Sequence, residues 1–250
     1  IGNGRFDLDN SGADPTLPSQ SIPGILAAQY GALLALDEGG FDIRKHRPVG
    51  VAGHSQGVLG VALYEAWHAN DDALMANVFA VARLLGAAAT LAGRTNSSLP
   101  VEDNTPMLSV RNVGRSDLTD ILDANPALQV ELSLVNGPDR FVLSGLPRDL
   151  RRFIALAQER AGDEEQAIAS KLRGGVPFAP VFDFITVSTP FHSHLLDAAY
   201  TQVLEWAQAA NLPNGLAESL GAAVLTDHVD WTAQLDGLRQ LGARWILDLG

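Results

Sequence analysis

Ser55 lies in the segment Gly53–Gly57, a Gly-x-Ser-x-Gly sequence typical of a nucleophilic serine. The apolar run 48–52 before it predicts a buried strand, and the apolar residues from position 58 predict a helix. A serine at such a turn takes a strained backbone conformation, and the two flanking glycines avoid the collisions that side chains would cause. The N–H of Gln56, at the start of the helix, would stabilise an oxyanion. Ser55 is therefore the candidate nucleophile.

A serine hydroxyl needs a neighbouring base, and histidine is the usual one. His192 is favoured among the six histidines because it follows Pro190-Phe191, directly after a predicted strand at 182–187. A side chain in that position lies at the mouth of a site formed by strand ends. His194 is the alternative base, and its other expected role is packing or loop support. The others are expected to brace the turn (His54), to lie at the surface (His46 and His68) or are left unassigned (His228).

The elements around these residues predict an α/β fold in two parts. Residues 1–104 and 161–250 are assigned to a core, with the final strand at 245–249. Between them, alternating strands and helical stretches indicate an inserted α+β subdomain at 105–160, with a hairpin across 136–139. Residues 1–20 are expected to form a loop. The other core helices are predicted at 21–36, 58–67, 72–93, 195–210 and 232–241.

Composition limits the classes of partner. The chain has 250 residues, a net charge of −12 and no cysteine, which argues against nucleic-acid binding, disulfides and a thiolate metal site. We identify neither a signal segment nor an apolar run long enough to cross a bilayer, so a soluble, cytoplasmic protein with no membrane partner is expected. An acidic partner would need a local basic patch. The candidates, which are otherwise ordinary surface, are Arg44, Lys45 and Arg47, and Arg148, Arg151 and Arg152.

Several motifs in register resemble the malonyl/acetyl-transacylase family: Gly53–Gly57, Val135-Asn136-Gly137, Ser188–Ser193, Val229-Asp230-Trp231 and Ile246–Gly250. The likeness is strongest to the acetyltransferase domain of the type I fatty acid synthases of fungi and mycolic-acid-producing bacteria. It implies an α/β fold with a hydrolase-like core, a short parallel sheet and a serine elbow, together with a ferredoxin-like insert. Family members also have a Gly-Gln-Gly turn that supplies a second oxyanion donor. That turn is missing here, so a fragment of a longer chain is expected.

The resemblance also implies the chemistry. An acetyl group would pass from acetyl-CoA to Ser55 and then to the phosphopantetheine thiol of an acyl carrier protein, with no further cofactor or metal. The carrier is expected in the same polypeptide, beside other fatty acid synthase domains. A main-chain carbonyl near Asp230 would orient His192, and Asn136 would contact substrate. Relatives that select malonyl-CoA place an arginine where Ala88 is expected, so an uncharged acyl group is predicted. Arg83 is expected at the surface.

Three alternatives stay open. One is a malonyl- or palmitoyl-type transacylase of the same family. Another is an α/β-hydrolase, an esterase or thioesterase, with Ser55, Asp183 and His192 as its triad. An Asp in the strand before the His loop reaches the histidine with difficulty, and the insert fits the transacylase plan better. The last is a non-catalytic structural domain of a megasynthase, which the intact Ser55 and His192 disfavour.

Overall fold

The computed structural model describes residues 16–41, 45, 48–95, 105–162, 168 and 178–250. The first half of the core consists of helices α1 (Pro18–Glu38), α2 (Gly57–Ala69) and α3 (Asp72–Thr95). The first helix begins before the predicted start at Ser21, because Pro18 already occupies its first turn, where proline is tolerated. Helix α3 packs against both other helices, so it is central to the core.

The inserted part has the order β1-α4-β2-β3-α5-β4, which is the ferredoxin-like arrangement. The elements are β1 (Met107–Arg111), α4 (Arg115–Asp123), β2 (Val130–Gly137), β3 (Arg140–Gly145), α5 (Pro147–Ala161) and β4 (Val181–Phe184). These four strands pair antiparallel in the order β4-β1-β3-β2. The β2–β3 hairpin lies where the sequence predicted it.

The insert extends further than predicted. Strand β4 pairs with β1, with Phe182 opposite Val110. The strand that sequence analysis assigned to the core is therefore the fourth strand of the insert, which reaches residue 184 rather than ending at 160. Alternation of apolar residues identifies a strand, but it does not identify the strand's partner.

The last part of the chain returns to the core. A short 3₁₀ turn, His194–Leu196, leads into α6 (Asp197–Ala209), α7 (Asn214–Gly221) and a π-helical turn, Ala222–Thr226. Strand β5 (Val229–Asp230) then pairs parallel with β2, and α8 (Trp231–Gln240) follows. Helix α7 was not predicted, because Asn-Gly at its start favours a turn. Strand β5 joins the core to the insert's sheet.

Among the described residues, two large apolar cores support the two parts of the chain. The larger lies between the helices and includes Leu26, Leu63, Leu85, Phe191 and Val203. The smaller lies between the insert's sheet and its helices and includes Leu108, Phe141, Leu143, Leu150 and Phe153. The predicted mixed α/β class is confirmed.

The two strands predicted for the core sheet differ from the structure. Residues 48–52 and 245–249 form no strand in the described part of the chain, so the predicted short parallel sheet of the core is not formed there. Val49 is 57% exposed and Trp245 is 69% exposed. An apolar run becomes a strand only where another strand lies beside it, and the described strands pair elsewhere.

Helix α3 corrects the expectation that no apolar run is long enough to cross a bilayer. Its segment Asp72–Gly93 is long and apolar enough to cross a membrane by length and composition, although sequence analysis excluded such a run. The inward-facing Val78, Val81 and Leu85 are fully buried in the larger core. Core helices of soluble proteins pass the same test, so the finding is weak evidence for a membrane span.

Candidate active site

The Ser55 turn has an uncommon backbone conformation. Ser55 has a φ of +54°, in the left-handed region that residues with a side chain rarely adopt. A Cβ on Gly53 would lie 2.3 Å from backbone atoms of Gly57 and Val58, so glycine is required at position 53. A Cβ on Gly57 would meet no atom within 4 Å. The second glycine is therefore not needed on steric grounds, which corrects the prediction for it.

Ser55 and His192 are in direct contact. Ser55 Oγ lies 2.7 Å from His192 Nε2, and His192 Nδ1 lies 2.8 Å from the main-chain oxygen of Asp227. A carbonyl oxygen only accepts hydrogen bonds, so Nδ1 carries a proton. In the neutral ring, Nε2 then presents its lone pair to the Ser55 hydroxyl, which donates to it. This arrangement is a serine–histidine pair oriented by a backbone carbonyl.

The charge state of His192 follows from its burial. The residue is 2% exposed, and loss of water around the ring lowers its pKa from 6.5 to about 4. The hydrogen bond to Asp227 opposes this shift, while nearby His54 and His228 lower the pKa further. The ring is therefore neutral at pH 7, which is the form that accepts a proton.

Long-range hydrogen bonds hold the His192 loop, residues 188–193. His192 has a φ of +57°, close to that of Ser55. The buried hydroxyl of Thr189 donates to the carbonyl of Ala89 in α3 at 3.1 Å. The N–H of Ser193 donates to the carbonyl of Leu225 in the π-helical turn at 3.3 Å. The loop is thus fixed against two separate parts of the core.

The Gln56 N–H is placed to stabilise negative charge. Gln56 is the N-cap of α2, directly after Ser55. Among the backbone hydrogen bonds of the described residues, the turn uses the N–H groups of Gly57 and Val58, and none uses the Gln56 N–H. A free N–H at a helix N-terminus attracts an oxyanion. The arrangement can support nucleophilic attack by Ser55 on a carbonyl carbon.

Comparison with known proteins connects this geometry to a family. Residues 106–184 match the family described as the fatty acid synthase central AT domain. The fatty acid synthase beta subunit aflB of Emericella nidulans is 31% identical over 182 aligned positions, and the match covers 66% of this chain and 8% of that protein. The fatty acid synthase subunit beta of Saccharomyces cerevisiae is 31% identical over 172 aligned positions, and the match covers 59% of this chain and 8% of that protein.

Solved structures agree on the fold. FabD from Acinetobacter baumannii superposes with a TM-score of 0.68 at 18% identity, over 96% of this chain and 72% of that one. MCAT from Streptococcus pneumoniae gives a TM-score of 0.66 at 19% identity, over 94% and 72%. This chain has an acyltransferase fold and is similar to fatty acid synthase acyltransferase domains. It spans 8% of the length of the two fungal relatives, so it corresponds to one part of them.

The carbonyl that orients His192 belongs to Asp227, and the prediction of Asp230 was wrong. Asp230 instead caps α8, where its side chain accepts from the Ala233 N–H at 2.9 Å, and it forms an ion pair with Arg115 at 3.2 Å. The π-helical turn, which ends at residue 226, directs the next carbonyl towards the histidine. A π-helical turn is rare and has no clear sequence signal. The sequence therefore predicted the part of the chain that orients His192, but not which residue supplies the carbonyl.

The two predicted substrate-binding residues, Asn136 and Ala88, lie in different surroundings: Asn136 is exposed beside the Ser55 turn and Ala88 is buried in the larger core. Asn136 is exposed at the end of β2, and its side-chain oxygen lies 2.7 Å from His54 Nε2 at the Ser55 turn. Its role as a substrate contact stays a prediction. Ala88 is 2% exposed and packs in the larger core, while Arg83 in the same helix is exposed, as expected.

The other histidines do not take the place of His192. His194 is exposed and pairs with Glu131 of the insert, which also accepts from its backbone N–H at 3.2 Å. His228 adjoins Asp227, and burial lowers its pKa as well. His68 lies in the last turn of α2, and His46 falls outside the described residues.

The remaining predictions concern charged residues. Asp183 of the hydrolase alternative lies on β4, where it pairs with Arg111, while the Nδ1 of His192 faces the Asp227 carbonyl. A hydrolase triad through Asp183 is therefore not formed. Of the two basic sets, Arg148, Arg151 and Arg152 are exposed on α5, Lys45 is exposed, and Arg44 and Arg47 lie outside the described residues.

Proposed function

We propose that this domain transfers an acyl group from coenzyme A, through an ester on Ser55, to the phosphopantetheine thiol of an acyl carrier protein. The main support is the hydrogen bond between Ser55 Oγ and His192 Nε2. The other ring nitrogen of His192 is held by a backbone carbonyl. The similarity to fatty acid synthase beta subunits supports fatty acid synthesis as the setting. A carrier domain in the same polypeptide and a cytoplasmic location belong to the same proposal.

The first half-reaction loads the serine. The Ser55 hydroxyl proton moves to His192 Nε2 while Oγ attacks the thioester carbonyl carbon. The oxyanion that forms is stabilised by the Gln56 N–H. When the intermediate collapses, the carbon–sulfur bond breaks and His192 returns the proton to the coenzyme A sulfur. The product is an acyl ester of Ser55.

The second half-reaction reverses these steps. The carrier thiol loses its proton to His192, and its sulfur attacks the Ser55 ester. Collapse of this second intermediate breaks the ester bond, and Ser55 Oγ regains the proton from His192. The acyl group leaves on the carrier. Transfer to a thiol requires that water attacks the ester more slowly than the carrier does, which distinguishes a transferase from an esterase.

We assign acetyl, or another uncharged acyl group, as the cargo. A malonyl carboxylate in a closed pocket would need a cationic partner, which Ala88 does not provide. Ala88 is 2% exposed among apolar neighbours, and the nearby Arg83 is exposed instead. An unpaired carboxylate would suffer desolvation without the compensating ion pair, a penalty of several kcal/mol.

The exposed arginines of α5 are the part of the insert that suits the acidic groups of coenzyme A or of a carrier. Arg148, Arg151 and Arg152 all lie on its surface, and Arg148 is 3.6 Å from Asp149. The chain carries a net charge of −12, so a local basic surface is needed to attract an anionic partner. We propose that this face of α5 attracts the acidic carrier or the nucleotide of coenzyme A.

Mass spectrometry of the intact protein tests the proposal. Wild type is mixed in turn with acetyl-CoA, malonyl-CoA and a long-chain acyl-CoA, and Ser55→Ala is the control. We expect an acetyl adduct on wild type, none on Ser55→Ala, and release of the adduct by a carrier thiol rather than by water. Rapid hydrolysis would indicate an esterase. Faster malonyl than acetyl loading would contradict the acyl assignment, and Ala88→Arg is expected to gain malonyl loading.

A further inference from the structure

The residue before each member of the catalytic pair is hydrogen-bonded to the insert. His54 precedes Ser55 and contacts Asn136 on β2. Phe191 precedes His192, and its carbonyl accepts from Ser144 on β3. Ser55 and His192 both have φ values in the left-handed region, +54° and +57°. Such conformations persist only where surrounding contacts offset their cost.

The contact on the Ser55 side depends on a β-bulge. Val135 pairs with Phe141 and Gly137 pairs with Arg140, so β2 has one extra residue, Asn136, between these pairs. Bulges near active sites redirect a side chain out of the regular sheet pattern. The Asn136 side-chain oxygen lies 2.7 Å from His54 Nε2. An amide oxygen only accepts, so Nε2 of His54 carries the proton and donates it.

A second group, the indole of Trp231, also contacts the His54 ring. Trp231 follows β5, which pairs with β2 so that Asp230 lies opposite Val135. The indole of Trp231 packs edge-on against the imidazole of His54, with centroids 5.4 Å apart and planes at 80°. This arrangement is favourable for aromatic rings. The ring is thus held between the insert and the residue after β5.

The contact on the His192 side is buried. Ser144 is 1% exposed, and its hydroxyl donates to the Phe191 carbonyl at 2.6 Å. The bond therefore has no competition from water. Glu131, opposite Ser144 in the hairpin, contacts His194 just beyond the pair. Strands β2 and β3 together contact the residue before Ser55 and the residues on both sides of His192.

We propose that the insert positions the catalytic pair, and that His54, Asn136 and Ser144 are positioning residues for the proposed transfer. The insert restrains the Ser55 turn through His54–Asn136 and the His192 loop through Ser144–Phe191. The distance between Ser55 Oγ and His192 Nε2 is then set from outside the core that carries both residues. The inference rests on the proposed function only in taking Ser55 and His192 as the reacting pair.

The test uses two reagents on the native full-length protein. A fluorophosphonate reports the reactivity of Ser55 without needing an acyl-CoA site, and acetyl-CoA reports the proposed reaction. Asn136→Ala and His54→Leu each remove the His54–Asn136 hydrogen bond, whereas His54→Gln keeps a donor at that position. Ser144→Ala removes the hydrogen bond to the Phe191 carbonyl. Asn125→Ala and Ser109→Ala are matched controls: the Asn125 amide bonds within the insert to the Ile121 carbonyl, and Ser109 lies on β1.

Misplacement of a reacting group by about 1 Å costs up to ~100-fold in rate. We therefore expect fluorophosphonate labelling to slow by about 10-fold in Asn136→Ala and His54→Leu, and by more in Ser144→Ala. His54→Gln should recover most of the loss. Labelling of the His54→Leu/Asn136→Ala double variant should be no slower than that of the slower single variant, because both substitutions remove the same hydrogen bond. The control variants should be labelled at the wild-type rate, although their melting temperatures should change by about as much as those of the His54, Asn136 and Ser144 variants.

A pH profile separates positioning from general stability. Burial holds the pKa of His192 at about 4, so wild-type labelling should be flat from about pH 5.5 upward. A loosened loop admits water to the ring and raises that pKa towards 6.5. Ser144→Ala should therefore lose labelling rate already below about pH 6, and the controls should not.

Three results would overturn the inference. The first is wild-type labelling rates in Asn136→Ala and Ser144→Ala. The second is a defect of Asn136→Ala with acetyl-CoA alone, which would make it a substrate contact. The third is failure of the fluorophosphonate to label wild type, since no reactive pair would then be positioned. A different result would reject the proposed function and not the inference. In that case no acyl-CoA would acylate wild type, but fluorophosphonate labelling would still be slowed in the variants.

Discussion

Ser55 and His192 share an uncommon backbone conformation, but different parts of the chain hold them in it. The shape of the Ser55 turn depends mainly on neighbouring residues, because Gly53 allows the close approach of the Gly57 and Val58 backbone. The insert adds one distant contact, between His54 and Asn136. The His192 loop is held by contacts that are distant in sequence, with Ala89, Leu225 and Asp227. A local turn can be identified from a motif, whereas a loop held from a distance cannot.

The largest expected effect breaks the local turn. Gly53→Ala places a methyl group 2.3 Å from backbone atoms of Gly57 and Val58, which cannot move without displacing the start of α2. We expect the free energy of unfolding to fall by about 3 kcal/mol or more, and acylation of Ser55 to be lost. Denaturant unfolding and adduct formation by mass spectrometry measure the two effects.

Gly57→Ala is the matched control, since its new methyl group meets no atom within 4 Å. Alanine also favours the helix that begins there by up to about 1 kcal/mol. Its stability should equal or exceed that of wild type. Equal damage from the two substitutions would show that the turn is not limited by contact at position 53.

This contrast explains what the sequence could predict. The turn at Ser55, the helix after it and the β2–β3 hairpin depend on neighbouring residues, and all three lie where expected. The strands predicted at 48–52 and 245–249 depend on a neighbouring strand, and the described residues supply none. Asp227 was missed for the same reason, because its carbonyl reaches His192 only through the fold.

The second prediction concerns the buried His192. Its pKa of about 4 in the folded protein, against 6.5 when unfolded, means that the unfolded chain binds the proton more tightly. Stability is therefore fully present above about pH 6.5 and is lost as the pH falls towards 4. The difference corresponds to roughly 3 kcal/mol at the acidic end.

His192→Gln removes this contribution, so its unfolding free energy should depend less on pH between 6.5 and 4. His228, whose pKa burial also lowers, contributes equally to both proteins and cancels in the comparison. Urea unfolding at a series of pH values measures the difference. Parallel curves for the two proteins would mean that the His192 ring is not buried in its neutral form.

The third prediction compares two histidines in the same loop region. His192→Ala removes the group that contacts Ser55 Oγ, and we expect acylation to slow by at least ~100-fold, or about 2.7 kcal/mol. His194→Ala removes an exposed side chain that pairs with Glu131, so a change of only a few-fold is expected. Single-turnover acylation by acetyl-CoA measures both. A larger defect in His194→Ala would reassign the base.

The smallest expected effect tests one distant contact of the His192 loop. Thr189→Val keeps the shape of a fully buried side chain but removes the hydroxyl that donates to the Ala89 carbonyl at 3.1 Å. That carbonyl lies inside α3, so its helical partner remains, and a loss of about 1 kcal/mol in unfolding free energy is expected. Thr201→Val removes a similar bond to the Asp197 carbonyl on the exposed face of α6 and should change stability by less than about 0.5 kcal/mol. If the loop is held from a distance, Thr189→Val also slows acylation by a few-fold while Thr201→Val does not. Identical acylation rates in both variants would show that the loop keeps its conformation without this contact, and that the remaining bonds to Ser144, Leu225 and Asp227 suffice.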